Sequence, residues 1–476
     1  MLANTFTTNF TSPIKALILT ALLFSCSKNQ ISTEPKPLQN PTTEQAPFYA
    51  SGGVEQQVAF TAAIRTQEYT LESIPQLSEY QKSSFEKYTV KSMVAFLFGP
   101  LTHRQLGGMR TDSKITVDWA SAHQVGDAVE INFTYDGAWI IANSALNQKT
   151  IFTLPLPYDT AGLYTDKWLK CTDSAPEHQT EDFYWYFWDP TRYGCDHELG
   201  TQYQEIKIRL GERTLNQKLT FPNYSEIIKS AGIENNLQMT FAFGYVSDFD
   251  DANPDKDADY GMTEYRKFMK YMDKQAKKLQ LTKTGITQSE YLNAMYPAKI
   301  IGYRYQGSKN GVNVDVKVVT SANIDQMELF AKSYAHDHDG FFAWFGHSRV
   351  GSGFDARNFK AMVDDNPGYY SISAQYQMVY WAGCNSYSYY TLPFFDHKAQ
   401  VNPNDPKGTL GLDILSNGLP SLFSFNAYNA IATYNAMINW ETPTSYQTII
   451  QDLEKYGRDA GGVIVLVNII GDEDNQ

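Results

Sequence analysis

Two stretches decide the fold: Gly340-Phe341-Phe342-Ala343-Trp344-Phe345-Gly346-His347-Ser348 and Tyr376-Gln377-Met378-Val379-Tyr380-Trp381-Ala382-Gly383-Cys384-Asn385-Ser386. Each is dominated by an apolar run of strand length, rich in aromatic residues. A run without polar alternation reads as a strand buried on both faces, as in a parallel sheet covered by helices. Each run then passes through a glycine into a chemically reactive side chain, His347 in one and Cys384 in the other. The segment between them is long enough for a crossover, so the two strands are expected to be adjacent and parallel. In open parallel sheets, ligands bind beyond the carboxyl ends of the strands. Both reactive residues are therefore expected on one rim.

Reading outward, Leu237 to Gly244 is another continuous apolar strand. Met262, Tyr265, Phe268, Met269, Met272, Ala276 and Leu279 recur at helical spacing. Asn310-Gly311 between the runs 299–305 and 312–319 is a hairpin signal. Helical patterns over 322–335, 427–439 and 445–457 and a late strand over 462–470 complete an α/β domain, 230–476, with a mainly parallel sheet. Upstream the grammar differs. Lys114-Ile115-Thr116-Val117-Asp118-Trp119, Ala128 to Tyr135 and Glu205 to Leu210 alternate with period two. These half-buried strands predict a β-sandwich domain over 95–225, with 51–94 of undecided form packing on it.

The first 25 residues have the layout of a signal peptide: Lys15, an apolar run from Ala16 to Phe24, then Ser25-Cys26. The run is about nine residues, where a membrane span needs about 20. Residues 26–50 are rich in Ser, Thr, Pro, Gln and Asn, the composition of a flexible tether. The formal net charge of −13, with no basic stripe, argues against nucleic acid as a partner. Of the four cysteines, Cys171 and Cys195 are close in sequence and are expected to form a disulfide in an oxidising compartment. The rival reading adds His178 and His197 to make a Cys2His2 zinc site. Cys384 stands outside that pairing.

A thiol beside an imidazole ionises readily, and the thiolate is the nucleophile. On the two blocks quoted above, the sequence resembles the gingipain, clostripain, legumain and caspase superfamily of cysteine peptidases. Leu23-Phe24-Ser25-Cys26 likewise resembles the lipobox of bacterial lipoproteins. The first resemblance implies a caspase–hemoglobinase α/β fold over about 235–470 and peptide-bond hydrolysis without a cofactor. Cys384 would be the nucleophile and His347 the general acid/base, with backbone N–H groups of Cys384 and Ser348 forming the oxyanion hole. Ser348 is a departure, because the family usually has Gly directly after the His. The second resemblance implies Cys26 as a lipidated N-terminus holding the chain to a bacterial membrane, facing the periplasm or cell surface. A peptide or protein would then be the substrate; the oligomeric state is unreadable.

Two other classes compete. Gly346-His347-Ser348-Arg349 looks like the start of a serine hydrolase elbow with Ser348 as nucleophile, but Val350 replaces the second Gly and only His397 follows. A non-enzymatic envelope binding lipoprotein on a degenerate peptidase fold is the other. Among weaker signals, Asp255, Asp257 and Asp259 are spaced like part of a calcium loop without its Gly and Glu at the proper offsets. Asp248, Asp250 and Asp251 would lie on the site rim, where carboxylates could attract a basic substrate side chain. His336-Asp337-His338-Asp339 reads as solvated capping at a helix end.

Overall fold

The computed structural model describes residues 52–111, 113–146, 151–160, 163, 168–172, 184–213, 219–246, 259–293, 299–348, 356–459, 462–472 and 475. Residues 1–50, read above as a signal peptide, Cys26 and a tether, lie outside them. Among the described residues, no helix is long and apolar enough to cross a membrane.

Six antiparallel strands form the first sheet: β1 (Gly53–Thr66), β2 (Gly107–Met109), β3 (Lys114–Val125), β4 (Ala128–Ala142), β5 (Ile151–Pro157) and β6 (Tyr203–Arg213). The order is β2-β4-β1-β6-β5, with β3 also pairing with β4. These strands make one curled sheet, not the two facing sheets of the expected sandwich. Alternation reported correctly that one face is buried, but not what covers it. Helical turns between residues 79 and 103 cover it, through Phe85, Val90, Met93, Leu97, Phe98 and Leu101, which share a core with Val58, Ile131, Phe133 and Ile208. Residues 53–66, left undecided above, are the central strand, paired with β4 along their whole length.

The second sheet has eight strands: β7 (Asn236–Phe243), β8 (Thr282–Thr287), β9 (Ile300–Lys309), β10 (Val312–Thr320), β11 (Phe341–Phe345), β12 (Gln377–Trp381), β13 (Leu412–Asn417) and β14 (Val467–Ile470). Their order is β14-β13-β12-β11-β7-β10-β9-β8. The five central strands are parallel, with antiparallel strands at both edges, so the sheet is mixed. Strands β11 and β12 are adjacent and parallel, Phe341 opposite Met378 through Trp344 opposite Trp381.

Both faces are covered. Phe241 packs on Phe268 of the helix Tyr260–Leu279 (ring centroids 4.9 Å apart) and on Tyr434 of the helix Asn426–Ile438 (6.3 Å). On the other face Phe330 meets Phe342, Phe359, Trp381 and Phe394, all within 5.2 Å. Successive residues of β11 thus feed opposite layers, which is why that run has no polar position. The two sheets share a wall: Ile140 and Ala142 at the end of β4 join the core of the mixed sheet. Glu55 of β1 also accepts hydrogen bonds from Tyr387 (2.7 Å) and Asn468 (3.3 Å).

Candidate active site

Counted in chain order, the five parallel strands lie 2-1-3-4-5 across the sheet. The order reverses between β7 and β11, and at such a switch point the strand ends diverge and leave a crevice. His347 stands there. Its Nε2 lies 3.2 Å from the carbonyl of Val246, just beyond the end of β7. A carbonyl only accepts, so Nε2 carries the proton and Nδ1 keeps the lone pair. Burial lowers the pKa of His347 below its ordinary value, against smaller opposing contributions from the Val246 bond and the charge of Asp259. The imidazole is therefore neutral at pH 7, as a general base must be.

The residues around it explain its placement. Gly244 and Gly346 close the ends of β7 and β11. A Cβ on Gly346 would come within 2.4 Å of the Trp344 ring and 3.1 Å of the Gly244 Cα. With no side chain there, the Trp344 indole lies beneath the strand end and donates to the carbonyl of His347 at 2.9 Å. Phe423 meets the imidazole edge-on at 4.9 Å.

Cys384 follows β12 in a tight turn and is half-buried, outside any disulfide. Its Sγ donates to the Ser421 carbonyl at 3.5 Å. Asn385 is left-handed, with φ of 50°. Asn tolerates that conformation better than most residues because its short amide can bond locally. Here the amide donates to Gly418 O at 3.2 Å and accepts from the hydroxyl of Tyr186, which comes from the antiparallel-sheet part of the chain. Ser386 donates to Trp381 O at 2.5 Å and accepts from the Asn417 amide at 2.8 Å, and Asn417 in turn bonds Gly383 O at 3.3 Å. Asn385, Ser386 and Asn417 are fully buried, so the turn that carries Cys384 is held from several sides.

The two strand ends touch. A Cβ on Gly383 would lie 3.1 Å from both Gly346 O and Ser348 N. Glycine thus keeps open a space about one methyl wide in front of the Ser348 amide, which makes no hydrogen bond among the described residues. A backbone N–H facing the open space at Gly383, one residue before Cys384, is a donor of the kind an oxyanion needs. The side chain of Ser348 is itself buried, and no contact joins it to His397 among the described residues. His397 is instead packed against Phe359 and Phe394, and burial pushes its pKa down to about 4.

Cys171 and Cys195 form the expected disulfide, with Cα atoms 4.6 Å apart. His197 lies with them, all three potential ligand atoms within 4.8 Å of one another, but both sulfurs are committed to each other. The second histidine of the zinc reading, His178, lies outside the described residues. So do Asp248, Asp250, Asp251, Asp255 and Asp257, and with them the substrate-rim and calcium readings. Asp259 is described, and it caps the helix Tyr260–Leu279, accepting from the amides of Gly261 (2.7 Å) and Met262 (3.2 Å). Sequence reasoning placed it in an acidic cluster and missed Val246 altogether, because a backbone acceptor leaves no mark on residue identity. An Asp directly ahead of a helical pattern was the available signal for the cap. Comparison with family models, with curated proteins and with solved structures finds no match.

Proposed function

We propose that the chain is a cysteine peptidase-like hydrolase in which Cys384 attacks a peptide carbonyl and His347 transfers the proton. One observation carries the reading. A neutral imidazole, its Nε2–H committed to the Val246 carbonyl, stands at the end of a strand adjacent and parallel to the one that ends in Cys384. In this scheme Nδ1 takes the thiol proton and the thiolate sulfur bonds to the substrate carbonyl carbon. The oxyanion is held by the amides of Ser348 and Cys384. The imidazolium then protonates the leaving amine, and water, deprotonated by the same nitrogen, hydrolyses the thioester. No cofactor enters. The caspase–hemoglobinase resemblance belongs to this proposal, as do the signal peptide, lipidation at Cys26 and an envelope location. The Cys171–Cys195 disulfide supports export to an oxidising compartment.

The test is hydrolysis of a mixed fluorogenic peptide library, run beside alkylation of Cys384 by iodoacetamide. Cys384→Ala is expected to abolish hydrolysis. His347→Ala is expected to slow alkylation at pH 7 by about tenfold or more, as the thiol returns toward its ordinary pKa of about 8.5. Ser348→Ala should keep much of the activity, because a backbone donor survives it. Hydrolysis by Cys384→Ala, or equal alkylation in wild type and His347→Ala, defeats the reading and leaves a lipid-anchored binding module as the better description. Hydrolysis lost in Ser348→Ala but kept in Cys384→Ala would instead mean a serine hydrolase.

A further inference from the structure

His347 is tied to the start of a helix through its hydrogen-bond acceptor. That acceptor, Val246, is the last described residue before the segment 247–258, and Asp259 is the first after it. The Asp259 carboxylate accepts the Val246 amide at 2.9 Å through one oxygen and 3.2 Å through the other. The same carboxylate caps the helix Tyr260–Leu279, so Val246 is tied to the end of a 20-residue helix packed on the sheet. Gly261 makes the approach possible: a Cβ there would fall 2.0 Å from Gly244 O and 2.9 Å from the Tyr245 Cα. The helix start therefore rests directly on the backbone leading to Val246.

We propose that Asp259 is a positioning residue for the thiol–imidazole site. By clamping the Val246 amide to the helix, it fixes the carbonyl that sets the tautomer and orientation of His347. The proposal rests on reading His347 and Cys384 as a working pair. A carboxylate at a helix N-terminus is ordinarily worth only its cap, and Asn or Ser caps nearly as well. At this position the second task separates them. One amide oxygen or one hydroxyl can keep the Gly261 and Met262 bonds, but neither offers a second oxygen to Val246. An Asn nitrogen turned toward that amide would oppose donor to donor.

The experiment is the pH profile of Cys384 alkylation in the full chain, followed by the mass of the Cys384 peptide, with thermal midpoints measured in parallel. Asp259→Asn and Asp259→Ser are expected to keep the wild-type midpoint within a few degrees. Their profiles should move toward higher pH, with alkylation at pH 7 slowed about threefold to tenfold. Asp259→Glu, which restores two oxygens, should recover part of the rate. If both substitutions leave the profile where it is while His347→Ala shifts it, Asp259 is only a cap and the proposal is wrong. If His347→Ala shifts nothing, the pair itself fails, and the proposal with it. The wild type supplies an independent check through the nitrogen shifts of the His347 ring. Protonation at Nε2 supports the clamp, and a population protonated at Nδ1 alone overturns it, whether or not the variants fold.

Discussion

The two ends of strands β11 and β12 treat buried polar groups in opposite ways. At the N-terminal end, Lys317 reaches Asp337 at 2.6 Å and Asp339 at 2.8 Å, and Asp339 also accepts from Thr240 (2.6 Å) and Ser333 (2.7 Å). Gln377 then links the Asp339 carbonyl (3.0 Å) to Lys398, whose amine donates to Gln377 Oε1 (2.8 Å) and to the carbonyls of Ser373 (2.8 Å) and Gln375 (2.6 Å), while burial pulls its pKa down to about 7. Burial pulls the pKa of Lys317 down, but Asp339 and Asp337 outweigh it and the net shift is upward. At the C-terminal end, His347 has one nitrogen bonded to a carbonyl, the Ser348 amide is unmet among the described residues, and the thiol is half-buried. Lys317, held by two carboxylates, ties strands of the sheet together. At the other end His347 and Cys384 bond neutral carbonyls, which leaves them easier to engage than a buried ion pair.

The strongest attempt to break this contrast is at the charged end. Asp339→Ala removes the group on which Lys317, Thr240 and Ser333 converge and leaves a buried ammonium with Asp337 as its carboxylate partner. Breaking one side of a buried pair costs about 3–5 kcal/mol. Urea unfolding should show a loss of that order, while the pH profile of Cys384 alkylation in the folded protein stays where it was. A shift in that profile would mean the two ends are coupled, and the division of labour would not hold.

A smaller effect is expected where the two roles meet. Asn385→Ala forces a side chain without local bonding into φ of 50° and leaves the Tyr186 hydroxyl and the Gly418 carbonyl without their partner amide. Strain and lost hydrogen bonds together amount to about 2 kcal/mol. Here thiol reactivity should change with stability, because the strained residue follows Cys384. Asn385→Gly relieves the strain but not the lost bonds, so it should recover roughly half the stability. Equal loss in both variants would show that backbone conformation contributes little.

How much of this was legible follows the same division. The runs 341–345 and 378–381 declared themselves because strands buried on both faces are apolar almost throughout; Gln377 is tolerated ahead of the second because the Asp339 carbonyl and Lys398 bond it. The helix 260–279 did so through its apolar period. Strand β13 was missed: Asp413 interrupts its apolar run, and only the fold supplies the Tyr376 and Tyr446 hydroxyls that bond one oxygen of that carboxyl. His336-Asp337-His338-Asp339 was read as solvated, yet Asp339 is buried against Lys317, 22 residues upstream on β10, two strands from β11 in the same sheet. The sandwich was misjudged because period-two alternation reports one buried face and is silent on what lies against it. At the site, the side chains at the strand ends were readable. Val246, which acts through its carbonyl, and Asp259, which acts through an amide, depend on distances no sequence pattern records.

The smallest effect bears on His347 itself and separates stability from chemistry within one residue. Because burial holds its pKa below the ordinary value near 6.5, the unfolded chain binds a proton more readily than the folded one in the window below that value. Stability must then fall as pH drops through the unfolded pKa toward the folded one, and it is independent of this group above the window. A single proton limits the slope to about 1.4 kcal/mol per pH unit. His347→Phe removes the titration and keeps a ring against Phe423. Its stability relative to wild type should be level between pH 7 and 8 and should rise steadily as pH is lowered from 6.5 to 5. His197, His338 and His397 are also held low by burial, but they are present in both proteins and cancel from the difference. Thiol reactivity should be depressed in the variant even where it is the more stable protein, since a site that keeps a desolvated base ready gives up stability to do so. A difference that stays flat down to pH 5 would mean that the imidazole is not held neutral by the fold, and the assignment of His347 as the base would have to be withdrawn.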